Sequence, residues 1–274
     1  MSKEQYTREN FKSSLLKQII IRVDFSTITD VKGFIMRLKS EPWLSRCFNG
    51  YRPIKTNNIN LQIDTKTIED RFIPIEVKET ETIHRFYDSL IEPIQSTTMD
   101  IGSSFICITI QCSDQYDKID SYLNIIADTM IVLQKYDNYA HFERFGIRKI
   151  DGNDYNNENE AYQTFEKNRF IEDGGNVLER TLFKQVYTDI FLSEKYNIKV
   201  NLTRSLERLN NRMLRFVLDT DGYIDESNFK EGDCDSKDKI IFLLKDRINE
   251  GLFQIFKAYV TEDFLSKGKL IQEK

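Results

Sequence analysis

The stretch Thr97-Thr-Met-Asp-Ile-Gly-Ser-Ser-Phe-Ile-Cys-Ile-Thr-Ile-Gln-Cys112, followed by Asp114 and then by Ile119, Tyr122, Leu123, Ile126, Met130 and Leu133, decides the fold class. Phe105, Ile106, Cys107, Ile108 and Ile110 would be apolar on both faces of an extended chain, so Thr97 to Cys112 reads as one long strand in the middle of a sheet. Asp114 offers a side-chain acceptor for a helix start. The apolar residues after it recur at helical spacing, with polar residues opposite, and predict an amphipathic helix to Tyr136.

The same order, strand then short polar cap then helix, occurs once before. Ile19, Ile20, Ile21, Val23 and Phe25 make Leu15 to Phe25 β-rich, and Ser26-Thr27 can cap a helix. Val31, Phe34, Ile35 and Leu38 then fall at helical spacing, and Pro42 stops the run because it cannot donate and restricts its predecessor. Asn57 to Asp64 alternates as a half-buried strand does, Arg71 to Val77 is a weaker strand edged by Pro74, and His84 to Leu90 fits a helical turn as well as a strand.

Toward the C-terminus, His141 to Ile150 reads as a strand and Asp151 to Asn159 as a polar, turn-rich stretch. A short helix is expected over Tyr162 to Phe170, then a loop at Gly174-Gly175. Thr181 to Leu192 and Asn197 to Ser205 look like an antiparallel pair, and Met213 to Leu218 like a further strand. Ile240, Leu244, Ile248, Leu252, Ile255, Phe256 and Tyr259 form the stripe of a last long helix, which Gly251 weakens by roughly 1 kcal/mol. Strands neighbour one another more often than they alternate with helices. The expected class is therefore α+β, with mixed, largely antiparallel sheets and three main amphipathic helices. It is organised as two intimately packed lobes, 1–95 and 96–274, divided near Gln95, or as one continuous domain.

Composition limits the function classes. Of 274 residues, 40% are apolar and 12% aromatic, with only 4 Pro and 11 Gly, which excludes collagen-like, low-complexity and disordered chains. No apolar stretch approaches the ~20 residues of a membrane-spanning helix. The polar start, Met1 to Lys12, has no apolar core of a secretion signal. Four scattered cysteines, Cys47, Cys107, Cys112 and Cys234, lack metal-ligand spacing and fit free thiols in a reducing, cytoplasmic setting. A net charge of -5 gives no support for a globally nucleic-acid-seeking protein, yet Lys195, Lys199, Arg204, Arg208, Arg212 and Arg215 make one basic stretch. Nucleotide-binding glycine loops, a G-x-S-x-G elbow and H-E-x-x-H are all absent. With only His84 and His141, candidates for a neutral-pH general base are few, and no cofactor or metal is expected. Asp219-Thr-Asp-Gly222 resembles part of a calcium loop, but Val217 and Asn228 would occupy its first and twelfth positions, and neither suits; an acidic hairpin or surface loop fits better.

The most informative passage is His141-Phe-Glu-Arg144-Phe-Gly146-Ile-Arg148-Lys-Ile-Asp151. On a strand Arg144, Gly146 and Arg148 share a face, with Phe145 and Ile147 opposite. A glycine between two arginines leaves a gap where a backbone or ligand can approach, and two guanidiniums over it can clamp a phosphate or carboxylate. The alternative is that both pair with acids on neighbouring strands, Asp189 for example. Arg144, Gly146 and Arg148 are the candidate ligand-binding residues.

Phe142, Arg144, Gly146, Ile147 and Arg148 fit the signature F-x-R-x-G-[IL]-R and resemble a sporadically distributed bacterial family of unknown function and of similar length. The family continues with Tyr, an aliphatic residue and Asn, where this chain has Lys149, Ile150 and Asp151, so two of the three depart. Phe256, Val260-Thr261 and Phe264 are similar to the family's closing helix, and Leu15 to Phe25 to its first strand, without the usual preceding prolines. The resemblance implies a self-contained α+β protein and brings no established reaction. Sporadic distribution suits a mobile or defence-associated gene by analogy. The expected role is non-catalytic: recognition of a protein or small anionic ligand, as an accessory factor, free of membrane, alone or as a homo-oligomer. The rivals are a nucleic-acid-binding protein using Lys195 to Arg215 and a carboxylate- and metal-dependent hydrolase or nuclease.

Overall fold

Alternate residues of Leu16–Phe25 (β1) are buried: Ile19, Ile21, Val23 and Phe25 are at most 1% exposed, and Gln18, Ile20, Arg22 and Asp24 lie on the other face. Branched and aromatic side chains on one face need a cover, and polar ones on the other do not, so β1 belongs to a sheet covered on one side. The computed structural model describes residues 3–8, 15–56, 81–88, 97–112, 119–170, 184–209 and 213–268. In it β1 lies near the middle of a nine-stranded sheet. The other strands are Gly50–Thr56 (β2), Glu81–Tyr87 (β3), Thr97–Ile101 (β4), Phe105–Gln111 (β5), Phe142–Tyr155 (β6), Lys184–Ser193 (β7), Ile198–Arg208 (β8) and Leu214–Asp225 (β9). Their order is β2-β3-β4-β5-β1-β6-β9-β8-β7, and every pairing is antiparallel.

Because β5 and β6 each run antiparallel to β1, they are parallel to one another. The helix Asp120–Tyr136 (α3) carries the chain between them as a split β-α-β unit with β1 inserted. Its stripe, Leu123, Ile126, Met130 and Leu133, is at most 1% exposed in the same core as Ile106, Ile108 and Ile110 of β5. Val31–Lys39 (α1) buries Phe34, Ile35 and Leu38 beside it and takes its cap from Asp30, whose carboxylate accepts the Gly33 N–H at 2.8 Å. The last helix is continuous from Lys237–Phe242 (α6) through a π-helical Leu243–Asn249 into Glu250–Tyr259 (α7). A Cβ at Gly222 would lie 2.7 Å from Leu252, and one at Gly251 2.6 Å from Ile198. Both glycines therefore set how closely this helix seats on β8 and β9.

Several expectations are corrected. Among the described residues there is one antiparallel sheet, not several mixed ones. Seven helices appear among the described residues, not three, counting Lys237 to Tyr259 as one; the others are the short Leu44–Cys47 (α2) and Glu262–Gly268 (α8), and Glu158–Thr164 (α4) and Lys167–Phe170 (α5), which stand as two separate turns where one short helix over Tyr162 to Phe170 is expected. Thr97 to Cys112 is a hairpin, broken at Gly102 to Ser104, where the Gly102 N–H bonds back to the Phe105 carbonyl at 3.0 Å. His84 lies on strand β3. Asp151 to Tyr155, expected as turn, continues β6, and Asp219 to Asp225, expected as an acidic loop, is the second half of β9. The cap belongs to Asp30 rather than to Ser26-Thr27. The strands expected at Asn57 to Asp64 and Arg71 to Val77, the cap Asp114, the Gly174-Gly175 loop and the division at Gln95 lie outside the described residues. On either side of that division, β3 and β4 pair directly. None of the described helices is long and apolar enough to cross a membrane.

Candidate functional site

The two faces of the sheet differ in kind. On the covered face, β6 and β9 contribute Phe145, Ile147, Phe216, Leu218 and Ile224, all fully buried. The same face holds two ionisable groups toward one end of β6. Asp151 is 4% exposed, and burial pushes its carboxyl up to about 7 against the pull of Lys149; burial likewise pushes the Lys149 ammonium down to about 8. The Cys112 thiol nearby is pushed up to about 12, again by burial. All four cysteines are free.

The other face is open among the described residues and is built from pairs of arginine or lysine with aspartate. Arg148 donates to the Asp219 carboxylate from Nε and Nη2, at 2.8 and 2.5 Å. Arg144 reaches Asp221 at 3.1 Å and Asp24 at 3.8 Å, and its guanidinium lies 4.4 Å from the centre of the Tyr223 ring. Arg22 pairs with Asp24 at 2.7 Å, Lys199 with Asp225 at 2.6 Å, and Arg85 with Asp100 through two bonds of 2.6 Å. Register explains this lattice. Arg148 stands opposite Asp221 on β9, and Arg144 opposite Asp225, so the arginines of β6 face the open-face row Asp219, Asp221, Tyr223 and Asp225. Burial raises the Asp221 carboxyl and the two arginines oppose that shift, whereas bonds from Lys199 and Ser227 hold the Asp225 carboxyl below its usual range despite partial burial.

Arg144, Gly146 and Arg148 thus share the open face as their spacing predicts, and their acidic partners come from β9 and β1. Asp189 instead pairs with Arg204, at 2.8 Å. Tyr223 borders the gap at Gly146 without closing it: a Cβ there would meet Tyr223 Cβ at 3.5 Å and the Gly222 carbonyl at 3.7 Å, both ordinary contacts. The basic stretch is divided by the strand period. Lys199 falls on the open face, Arg204 and Arg208 on the covered one, where Arg208 lies 3.9 Å from Glu158; Arg215 pairs with Asp154 at 2.8 Å. Arg208 ends β8, and Arg212 lies outside the described residues.

At the end of this lattice the pairing of β1 with β6 slips, with Asp24 opposite Arg144 but Phe25 opposite Phe142, so Glu143 is an extra residue in a bulge. Bulges re-aim side chains, and Glu143 is exposed beside His141, whose Nε2 lies 3.9 Å from its carboxylate. Antiparallel pairing brings the far end of β9 to the same place, and Glu226 follows it. One ligand atom each of His141, Glu143 and Glu226 lies within 4.8 Å of the others, and all three residues are exposed. Glu143, Lys199, Asp225, Glu226 and Ser227 line an open concavity of about 550 Å³. His141, Glu143 and Glu226 carry the donor set that could hold a cation. Sequence reasoning missed them, because no local spacing links residue 143 to residue 226; only the register of β6 on β9 does. The second histidine, His84, is buried, its Nδ1 2.7 Å from the Tyr51 hydroxyl, and burial lowers its pKa. Comparison with family models, with curated proteins and with solved structures finds no match to this chain.

Proposed function

We propose that the chain is a non-catalytic recognition or accessory protein whose open sheet face receives a positively charged segment of a partner protein at the mouth formed by Glu143 and Glu226. The observation that supports this is an imbalance. Around the mouth Arg22, Arg144 and Lys199 are each paired with an aspartate, while Glu143 and Glu226 have no lysine or arginine partner among the described residues. Two unneutralised carboxylates beside a neutralised lattice attract cations and repel anions. A basic protein segment therefore fits better than the small anionic ligand that two arginines in a row suggest, or than nucleic acid on the divided basic stretch. The resemblance to a sporadically distributed bacterial family, with its mobile or defence-associated setting, belongs to the same proposal.

A lysine-rich peptide titrated at low salt tests it. Glu143→Gln with Glu226→Gln weakens binding at least ~10-fold, equivalent to ~1.4 kcal/mol. The control pair Asp238→Asn with Asp246→Asn, of equal charge change on exposed helix positions, leaves it unchanged. Equal weakening by both pairs would reduce the effect to net charge and overturn the reading. A second reading, metal-dependent hydrolysis, draws on the mutual approach of His141, Glu143 and Glu226. Manganese ions bound at micromolar concentration by the parent chain, lost in the double variant, and undisturbed by the peptide would favour it.

A further inference from the structure

The two edges of the sheet are not protected alike. β2 carries Arg52, Pro53 and Lys55, which are the usual devices against pairing with another chain. β7, the opposite edge, is ten residues long, Lys-Gln-Val-Tyr-Thr-Asp-Ile-Phe-Leu-Ser, with no proline and no register break against β8. Its open-face side chains include Val186, Ile190 and Leu192, which are 50%, 76% and 51% exposed. Their neighbours on β8 are polar: Ser205, Asn201 and Lys199. The charge of Asp189 is neutralised by Arg204. What remains is a long, nearly neutral edge with an apolar stripe one strand wide, and no further strand pairs with it among the described residues.

We infer that β7 is a self-association surface, pairing antiparallel with β7 of a second copy about a two-fold axis at Thr188. The occupant is argued from the strand's own sequence. In that register Val186 stands opposite Ile190 twice, and Thr188 opposite Thr188; such pairs of β-branched residues stabilise antiparallel neighbours. On the covered face Tyr187 meets Asp189 and Gln185 meets Phe191. Lys184, the only other charge in the strand, faces Leu192 and lies beside the Ser193-Glu194 end of the second copy, so charges of opposite sign adjoin. Moving the axis one residue to Asp189 would set two carboxylates against each other. The paired stripe doubles in width, the interface is isologous, and the sheet continues without a break. A single strand pair is at the small end of specific interfaces, so the dimer is expected to be weak. This inference does not depend on the Glu143–Glu226 mouth, which lies on β6 and β9.

Sedimentation of the full chain from ~1 to ~200 µM reads it, since self-association depends on concentration. The expected result is a monomer–dimer equilibrium with a midpoint in the micromolar range. Val186→Lys with Ile190→Lys moves that midpoint at least ~10-fold higher, with melting temperature and circular dichroism retained. The register has its own readout. Thr188→Cys forms a covalent dimer on mild oxidation, while Thr203→Cys, one strand inward on the same face, does not. A chain that stays monomeric throughout, or a dimer unaffected by the two lysines and not trapped through position 188, overturns the inference and leaves the edge to a partner of different sequence.

Discussion

The two faces of this sheet use the same β6 and β9 backbones for opposite purposes. On the covered face, Phe216 is fully buried among Tyr155, Tyr162, Phe165 and Phe170, with ring centres 5.4 to 5.8 Å away. On the open face, one residue away in sequence, Arg215 and Val217 are exposed and half-buried respectively. Stability arises from the first face through area removed from water, whereas the Arg–Asp lattice of the second fixes register at modest energy and leaves its surface free to bind. The motif passage belongs to both: Phe145 and Ile147 hold the fold, and Arg144 and Arg148 order the face that meets solvent.

The largest expected effect tests that division. Phe216→Ala should cost ~3–5 kcal/mol in urea unfolding, because it removes a ring from the middle of an aromatic cluster, and Leu123→Ala ~2–5 kcal/mol. Tyr223→Ala, at the open-face position opposite Gly146, should cost far less. Comparable losses on the two faces would mean that the open face is covered by something and that the comparison fails.

The second effect concerns the ionisable pair on the covered face. The Asp151 carboxyl is raised to about 7, so between the unfolded value near 4 and about pH 7 the folded chain holds a proton that the unfolded chain has released. The stability this group contributes is therefore fully present below pH ~4 and is lost as pH rises toward 7, by an amount on the order of 2–4 kcal/mol. Lys149, lowered to about 8, acts in the reverse sense, and its cost fades between about pH 8 and pH ~10.5. Urea midpoints between pH 4 and 7 should show this downward contribution in the parent and lack it in Asp151→Asn. The same pH slope in both would place the carboxyl in water.

Smaller still are the lattice arginines. Arg148→Gln breaks an exposed bidentate pair and should change stability by no more than about 1 kcal/mol. Arg144→Gln should cost more, up to about 2 kcal/mol, since it strips the partner from Asp221, a carboxylate that burial already disfavours. The reverse order would show that Tyr223 and Asp24, rather than Asp221, are what Arg144 serves.

How much of this was legible in the sequence follows from the range of each force. The α3 stripe and the β1 alternation are local periodicities, and Leu123, Ile126 and Ile21 lie where they predict. The hairpin at Gly102 was hidden because strand-forming residues flank it on both sides. The second half of β9 was hidden for a deeper reason. Asp219, Asp221 and Asp225 alternate with Thr220, Gly222 and Ile224, a half-buried strand pattern, but so many aspartates in a strand are tolerable only because Arg144, Arg148 and Lys199 stand beside them. Local composition suggests a turn, and only the pairing register reveals the compensation. The arginines of the motif were visible; Glu143 and Glu226 as a joint site were not, since a bulge and a long-range pairing create it.

The proposed landing site of a basic partner segment is the acidic mouth of the open face. Carbodiimide labelling of carboxylates, read residue by residue with and without a saturating lysine-rich peptide, tests it most directly. Glu143 and Glu226 are expected to be labelled in the free chain and protected by peptide, while Glu262 and Asp238 on the helical side react equally in both. Unchanged labelling at Glu143 and Glu226, with protection elsewhere, would contradict it.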